Sequence, residues 1–513
     1  MPVLDGFRGD AVRARCIDLL VLVVGASLTF AFAPFQVWYW APVPLAVLFL
    51  ATTSGTARQG VWRGLLFGLG FFGVGLAWIV ESFKFNAVPY PVAVIVTAGL
   101  VVVLSGYLAA FGAVTAACFG KKGSQRRGLS FILSMALGWM LIEWVRGNFL
   151  TGFPWMVVGT SQVDGGLSGW LPLLGSYGTS FWVALIGAVL AACTVRRSYR
   201  NALLGGSILT LVVLSSAALH GRAWSHASAG PMSVALVQGN VSQDQKWKPE
   251  NRTPTLRTYL ELTRNHWNAD LVVWPETAIP GLVERMQPFL RGLETQARER
   301  DTELLVGIPS RDTDSGRPLN TVLKLGGIDS HDRYVKRHLV PFGEYLPLAH
   351  WLEPTLAALG IVISNFQGGE DVQPLLRIDG RPIGVSICYE VAFASEIGRA
   401  LPRAELLVNV SNDAWFGDTI GPPQHLQLAR ARAREAGRWL VRATNTGITA
   451  VIDPHGRIQA ALPPFKAGAV RADVIPQRGL TPYFRIGDDW LAAGGALLWI
   501  FVSIRRRETQ EDA

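Results

Sequence analysis

Apolar residues form long blocks over the first 220 positions and short runs after that, and the two patterns predict two kinds of structure. Eight blocks approach the ~20 apolar residues that a helix needs to cross a hydrocarbon core. They lie at roughly 16–34, 37–54, 62–81, 89–119, 129–146, 168–193, 202–219 and 489–504. The second is broken by Pro42 and Pro44. Arginines precede the first, as in a secretory leader, but seven more blocks follow and no small-residue cleavage site is evident, so a retained helix is expected. Between 221 and 487 the runs shorten to strand length and are rich in Val and Ile. Examples are SVALVQ (233–238), DLVVW (270–274), ELLVGI (303–308), RYVKRHLV (333–340), PIGVSIC (382–388) and ELLVNV (405–410). Helical patterns at 251–267, 284–300, 391–400 and 423–438 fall between them, and such alternation predicts an α/β layered fold with buried sheets. Arg430, Arg432, Arg434 and Arg438 on the last of these predict an exposed or substrate-facing side.

The charges divide along the same line. The segment 221–487 holds 30 of the 47 basic and 27 of the 38 acidic residues, so it reads as a water-facing domain. The connections between the apolar blocks test the span count, because short cytoplasmic loops collect Lys and Arg. Taken alternately, one set carries Arg8, Arg13 and Arg15, then Arg58 and Arg63, then Lys121, Lys122, Arg126 and Arg127. Arg196, Arg197 and Arg200, and finally Arg505, Arg506 and Arg507, complete the fifteen. The opposite set of short loops carries Lys84 and Arg146 alone. This asymmetry predicts eight spans with both termini cytoplasmic and the segment 221–487 on the far side. The chain is expected to comprise a seven-helix bundle at 1–220, a globular domain at 221–487, and a last helix with a cytoplasmic tail at 488–513. The net charge of +9 is thereby assigned to topology rather than to nucleic-acid binding. With 50% hydrophobic and only 17% charged residues, a purely soluble enzyme and a disordered chain are both disfavoured.

Three polar residues stand at or near strand ends, where α/β domains place reactive groups: Glu276 after LVVW, Lys336 in DRYVKRHLV, and Cys388 after GVSI. Taken singly, each has an ordinary explanation as a solvated Glu, a surface Lys or a small buried Cys. The cysteine count separates the third. Cys16, Cys118 and Cys193 fall in or at the edges of the apolar blocks, so Cys388 has no partner within the outer domain. An unpaired thiol in an oxidising compartment is a candidate reactive group. Zinc is not expected, because no second Cys or His at ligand spacing accompanies it.

WPETA (274–278), Lys336 with HLVPFGEYLP (338–347), ICYE (387–390) and NVSNDAWFG (409–417) resemble the nitrilase superfamily, whose catalytic set is Glu, Lys and Cys in that order. QGN (238–240), KW (246–247), the FGEYLP and SNDAWFG strings and the eight blocks resemble, more narrowly, the apolipoprotein N-acyltransferase family of the bacterial inner membrane. The resemblance covers essentially the whole chain. It implies an α-β-β-α sandwich in the periplasm, tied to a multi-pass bundle, that moves an acyl chain from the sn-1 position of a phospholipid to a lipoprotein. The expected donor is phosphatidylethanolamine, and the acceptor is the N-terminal amine of an S-diacylglyceryl-cysteine apolipoprotein.

By the same resemblance Cys388 is the nucleophile that forms a thioester, Glu276 the general base and Lys336 the stabiliser of the oxyanion. No cofactor or metal is required, and a monomer is expected. Glu344 and Glu390 would hold Lys336 or share a proton with Glu276. Tyr389 would shape the pocket or donate its N–H, Trp247 and Trp415 would line an acyl or acceptor site, and Asn412 would orient the loop carrying Trp415. His338 and His425 receive no role. Two alternatives stay open: a membrane-anchored amidase that gives the acyl group to water, and a transporter with an outer binding module. For the transporter, Glu143 near Arg146 and Asp18 are the ionisable candidates.

Overall fold

The structure, a computed structural model, describes residues 2–86, 88–119, 128–195, 199–327, 332–347, 349–358 and 365–511. They divide into two compact units. One is Met1–Ile79 with Pro91–Arg222 and Ile486–Ala513, and the other is Val80–Tyr90 with Ala223–Arg485.

The first unit is helical, and a helix stands at each of the eight apolar blocks: Pro2–Ser27, Pro42–Thr53, Ala57–Gly75, Tyr90–Phe119, Leu129–Asn148, Leu171–Val195, Tyr199–His220 and Asp488–Glu511. Among the described residues, four segments are long and apolar enough to cross a membrane unaided: Val12–Ala31, Tyr90–Phe119, Leu129–Thr151 and Ser168–Thr194. The apolar helices Trp38–Thr53 and Gly205–His220 are shorter, so this measure does not reach the expected count of eight. Ala57–Gly75 packs through glycine: a Cβ at Gly60 would lie 2.4 Å from the Gly112 carbonyl oxygen, and one at Gly64 would lie 2.1 Å from that of Leu108. Such spacing lets two helix backbones touch directly, the way small residues drive helix association in lipid.

The charges inside this unit have structural partners. Arg63, expected in a cytoplasmic loop, is instead buried within a helix, where it bonds Asp18 at 3.2 Å and the Ala51 carbonyl at 2.8 Å. Arg146 donates to the carbonyls of Phe153 and Trp155, both at 2.7 Å, and Glu143 accepts from the Val158 N–H at 2.9 Å. These two side chains bond the irregular backbone that follows their helix. Lys121, Lys122, Arg126, Arg127, Arg196 and Arg197 lie outside the described residues.

The second unit contains two six-stranded sheets. In the first, the order is Gly468–Val474, Met232–Gln238, Leu271–Val273, Glu303–Arg311, Pro318–Leu325, Arg333–Val335. In the second it is Ile458–Leu462, Thr449–Ile452, Leu440–Thr444, Leu406–Ser411, Arg381–Ile387, Leu376–Ile378. Three central strands of each sheet are parallel, Met232–Gln238 to Glu303–Arg311 in one and Arg381–Ile387 to Leu440–Thr444 in the other. The strand period of two sorts the side chains. Val234, Leu236, Leu271 and Val273 pack with Val385, Ile387, Val408 and Val410 in a core drawn from both sheets. Ala235, Val237 and Val272 turn the other way, onto helices Arg252–Thr263 and Gln287–Glu299. Leu407, Leu440 and Ala450 do the same against Ala394–Ala400 and Gly421–Ala436. The result is the expected α-β-β-α sandwich.

Three details depart from the sequence reading. The strand expected at 333–340 ends at Val335, so Lys336 stands beyond its end. Two edge strands, Leu376–Ile378 and Ile458–Leu462, had no strong apolar pattern, as suits edges that face solvent on one side. The arginines of Gly421–Ala436, and Arg438 just past its end, are buried and not exposed. Arg430 donates to the Gly456 carbonyl at 2.8 Å, Arg434 to that of His455 at 2.7 Å and Arg438 to that of Ala404 at 2.9 Å, while Arg432 pairs with Glu435 at 3.0 Å. Loops fold over this helix, and the guanidinium groups supply their carbonyls with donors.

Candidate active site

Glu276, Lys336 and Cys388 each follow a strand: Leu271–Val273, Arg333–Val335 and Arg381–Ile387. Loops at strand ends are free to adopt unusual backbone, and both ends of the constellation do. Thr277, next to Glu276, has φ +49°, and Cys388 itself has φ +52°. Such residues cost about 1–3 kcal/mol each and persist where the surroundings over-determine them.

The carboxylate of Glu276 is buried and held on both oxygens. Oε1 accepts from Asn320 Nδ2 at 2.7 Å, and Oε2 accepts from the Asn412 backbone N–H at 2.8 Å. Lys336 Nζ stands 3.7 Å from Glu276 Oε1 and 2.9 Å from Glu344 Oε1. Glu344 also accepts from Asn320 Nδ2 at 3.1 Å and from the Val340 N–H at 2.8 Å. Burial works against the charge on Lys336, but Glu344, Glu276 and Cys388 outweigh it and hold its pKa above the ordinary lysine range. Lys336 is thus a fixed cation in a site almost closed to water.

Burial, and then the charge of Glu276, push the Cys388 thiol well above its ordinary pKa, with Lys336 opposing. The resting group is therefore a thiol, and attack needs a base at the moment of reaction. Its two strongest electrostatic neighbours are the carboxylate and the ammonium that such chemistry calls for.

The other residues singled out in the sequence fall into two groups. Glu390 does not touch Lys336 or Glu276. Its Oε2 accepts from the Ile387 N–H at 2.7 Å and the Tyr334 hydroxyl at 2.9 Å, and its Oε1 accepts from the N–H groups of Arg337 and His338 at 2.7 and 3.1 Å. It ties the strand before Cys388 to the turn after Lys336. Asn412 acts through its backbone on Glu276, and its side chain bridges Gln243 at 2.8 Å and Asn445 at 3.0 Å. Tyr389 is buried edge-on to Phe393, whose ring stacks on His338 at 3.8 Å. Trp415 is half-buried and meets Phe85 edge-on at 5.9 Å, within the same compact unit. Trp247 lies just past the short helix Gln243–Lys246 and is 51% exposed.

Two residues of the site were missed in the sequence. Asn320 joins both carboxylates, and its signal was a polar amide inside an otherwise apolar strand, PLNTVLKL, where Asn is depleted. Lys246 is 1% exposed and donates to Thr277 Oγ1 at 2.6 Å and to the Glu276 carbonyl at 3.4 Å. Burial pulls its pKa down to about 7, against the charge of Glu276.

Two sheets packed face to face, with a Glu, a Lys and a Cys beyond their strand ends, define a carbon-nitrogen hydrolase domain, and residues 233–479 match that family. Residues 24–189 match the apolipoprotein N-acyltransferase N-terminal domain. The chain is 40% identical over 495 residues to the apolipoprotein N-acyltransferase of Methylococcus capsulatus, covering 95% of this chain and 96% of that one. It is 40% identical over 502 residues to the enzyme of that name from Azotobacter vinelandii, covering 97% and 96%. The corresponding figures for Photobacterium profundum are 38% over 479 residues, with 91% of each chain covered. The chain belongs to the apolipoprotein N-acyltransferase family.

Proposed function

We propose that the protein transfers an acyl chain from a membrane phospholipid, through a thioester on Cys388, to the N-terminal amine of a diacylglyceryl apolipoprotein. Glu276 takes the thiol proton as sulfur attacks the sn-1 ester carbonyl. Lys336 holds the negative charge that develops on the carbonyl oxygen. Collapse returns the proton from Glu276 to the leaving alkoxide, releases a lysophospholipid and leaves the thioester. In the second half the α-amine attacks, Glu276 accepts its proton, and the sulfur departs to give an amide. Trp247 and Trp415 would line the path of the lipid substrates.

The observation that carries this reading is a buried carboxylate and a fixed ammonium set around one thiol whose own pKa is raised, in a chain with apolar helices long enough to cross a membrane. Substrates anchored by their own acyl chains need such a catalyst beside the lipid. The asymmetry of loop charges, which holds with the buried Arg63 set aside, supports placement in the bacterial inner membrane with both termini cytoplasmic and the sandwich periplasmic.

The test is capture of the intermediate. Purified protein mixed with phosphatidylethanolamine should gain the mass of one acyl group on the peptide containing Cys388, and added diacylglyceryl peptide should remove it. A Cys388→Ala protein that still N-acylates the peptide would overturn the reading.

A further inference from the structure

Behind the thiol lies a buried polar cluster that the reaction itself does not consume. The left-handed turn at Cys388 exposes its carbonyl oxygen to the interior, where His425 Nε2 meets it at 3.1 Å and Asn409 Nδ2 at 3.5 Å. The other ring nitrogen, Nδ1, lies 3.0 Å from Arg442 Nη2 and 3.0 Å from Asp413 Oδ1. Arg442 in turn donates to Asp413 Oδ2 at 2.8 Å and to Asn409 Oδ1, and Ser411 donates to Asp413 Oδ1 at 2.7 Å. His425, Asp413, Arg442 and Asn409 are all at most 1% exposed.

The electrostatics settle where the proton sits. Burial, and then Arg442, keep His425 below its ordinary pKa, so the ring is neutral. A neutral ring that bonds a carbonyl through Nε2 carries its proton there and presents Nδ1 to Arg442 as an acceptor. Burial disfavours the charge of Asp413, but Arg442 outweighs it and, with the Ser411 hydroxyl, holds its carboxyl well below the usual range. Asp413 therefore stays ionised and keeps Arg442 in register. One residue earlier, the Asn412 N–H holds Glu276, so the loop that carries Asp413 touches the base and, through His425, the nucleophile.

We infer that His425 is a positioning residue for acylation: by donating to the Cys388 carbonyl from behind, it holds the left-handed turn that keeps the thiol between Glu276 and Lys336. The inference rests on Cys388 being the residue that is acylated. Misplacing a reacting group by about 1 Å costs up to roughly 100-fold in rate, which sets the scale of the expected effect.

The experiment compares His425→Gln with His425→Asn in the full chain, reading single-turnover thioester formation on Cys388 from phosphatidylethanolamine, the apparent KM for the donor, and the thermal midpoint. Glutamine reaches the Cys388 carbonyl with its amide N–H, whereas asparagine falls short of it while still facing Asp413. Acylation by His425→Asn should fall by about 100-fold at unchanged KM, with His425→Gln within about tenfold of wild type and both midpoints alike. Equal acylation rates in the two variants would overturn the inference, as would losses that follow a fall in midpoint shared by both, or failure of both to fold. Absence of a thioester in the wild type would instead refute the acyl-transfer reading and is distinguishable from each of these.

Discussion

Lys336 and Glu344 are in direct contact at 2.9 Å, while the same ammonium stands 3.7 Å from Glu276. The cation is thus moored to Glu344, and Glu276 keeps its oxygens for Asn320 and the Asn412 N–H. Two carboxylates share one ammonium in a largely buried set in which each group constrains the others.

Glu344→Gln should keep the shape and remove the mooring charge, freeing Lys336 to move onto Glu276. That pairing would quench the base. The acylation rate should fall roughly 10- to 100-fold with little change in thermal midpoint, since misplacement by about 1 Å can cost as much. Single-turnover kinetics on phosphatidylethanolamine measures it.

Glu276→Gln should be more severe, because the thiol of Cys388 has a raised pKa and depends on a base. General-base contributions are about 100- to 10,000-fold. Both half-reactions should slow, so a thioester prepared chemically on this variant should also pass slowly to an amine acceptor. A deficit confined to the first half-reaction would contradict the assignment of one base to both.

Asn320→Leu should leave Glu276 Oε1 without its close donor, while Glu344 Oε1 keeps Lys336. Buried acceptors left unpaired cost about 1–3 kcal/mol each, so the thermal midpoint and acylation should both fall. Asn320→Asp places a third carboxylate against the pair and should be worse than Leu in acylation at neutral pH. An Asp variant as active as wild type would show that the amide is not a donor here.

Lys246 supplies a pH signature. Its pKa is about 7 in the fold and 10.5 for an ordinary lysine, so between those values the unfolded chain binds a proton that the folded chain does not. By linkage, stability rises with pH across this window and is lost as pH falls through it toward 7. Lys246→Met lacks this dependence. The thermal midpoint of wild type minus that of Lys246→Met should therefore grow as pH is raised from about 7 to about 10, and a flat difference would mean that Lys246 is not desolvated.

Much of this molecule was legible in the linear pattern, for a physical reason. Apolar runs such as SVALVQ and ELLVNV are local: burial on both faces of a sheet demands Val, Ile and Leu wherever the strand lies, and the structure places strands there. That Glu276, Lys336 and Cys388 stand past strand ends was legible in the pattern, whereas their roles came only from the family resemblance. Lys336 was the hardest to place, since Arg333–Val335 is only three residues long and the apolar pattern runs on beyond it.

The arginines of Gly421–Ala436 mark where local reasoning stopped. Basic residues at 430, 432, 434 and 438 read as an exposed or substrate-facing side, but Arg430 and Arg434 are buried on the carbonyls of Gly456 and His455, Arg438 on those of Ala404 and Gly479, and Arg432 against Glu435. Arg63 was misread in the same way, because its partner Asp18 is 45 positions away. By itself, the sequence determined where most helices and central strands lie, because apolar periodicity depends on neighbours within a few positions. The tertiary structure alone decided that Asn320 joins the two carboxylates, that Glu390 braces the turn instead of the lysine, and that His425 stands behind the nucleophile. Those contacts join residues 24 to 56 positions apart, and a hydrogen bond depends on distance in space, which spacing along the chain does not encode.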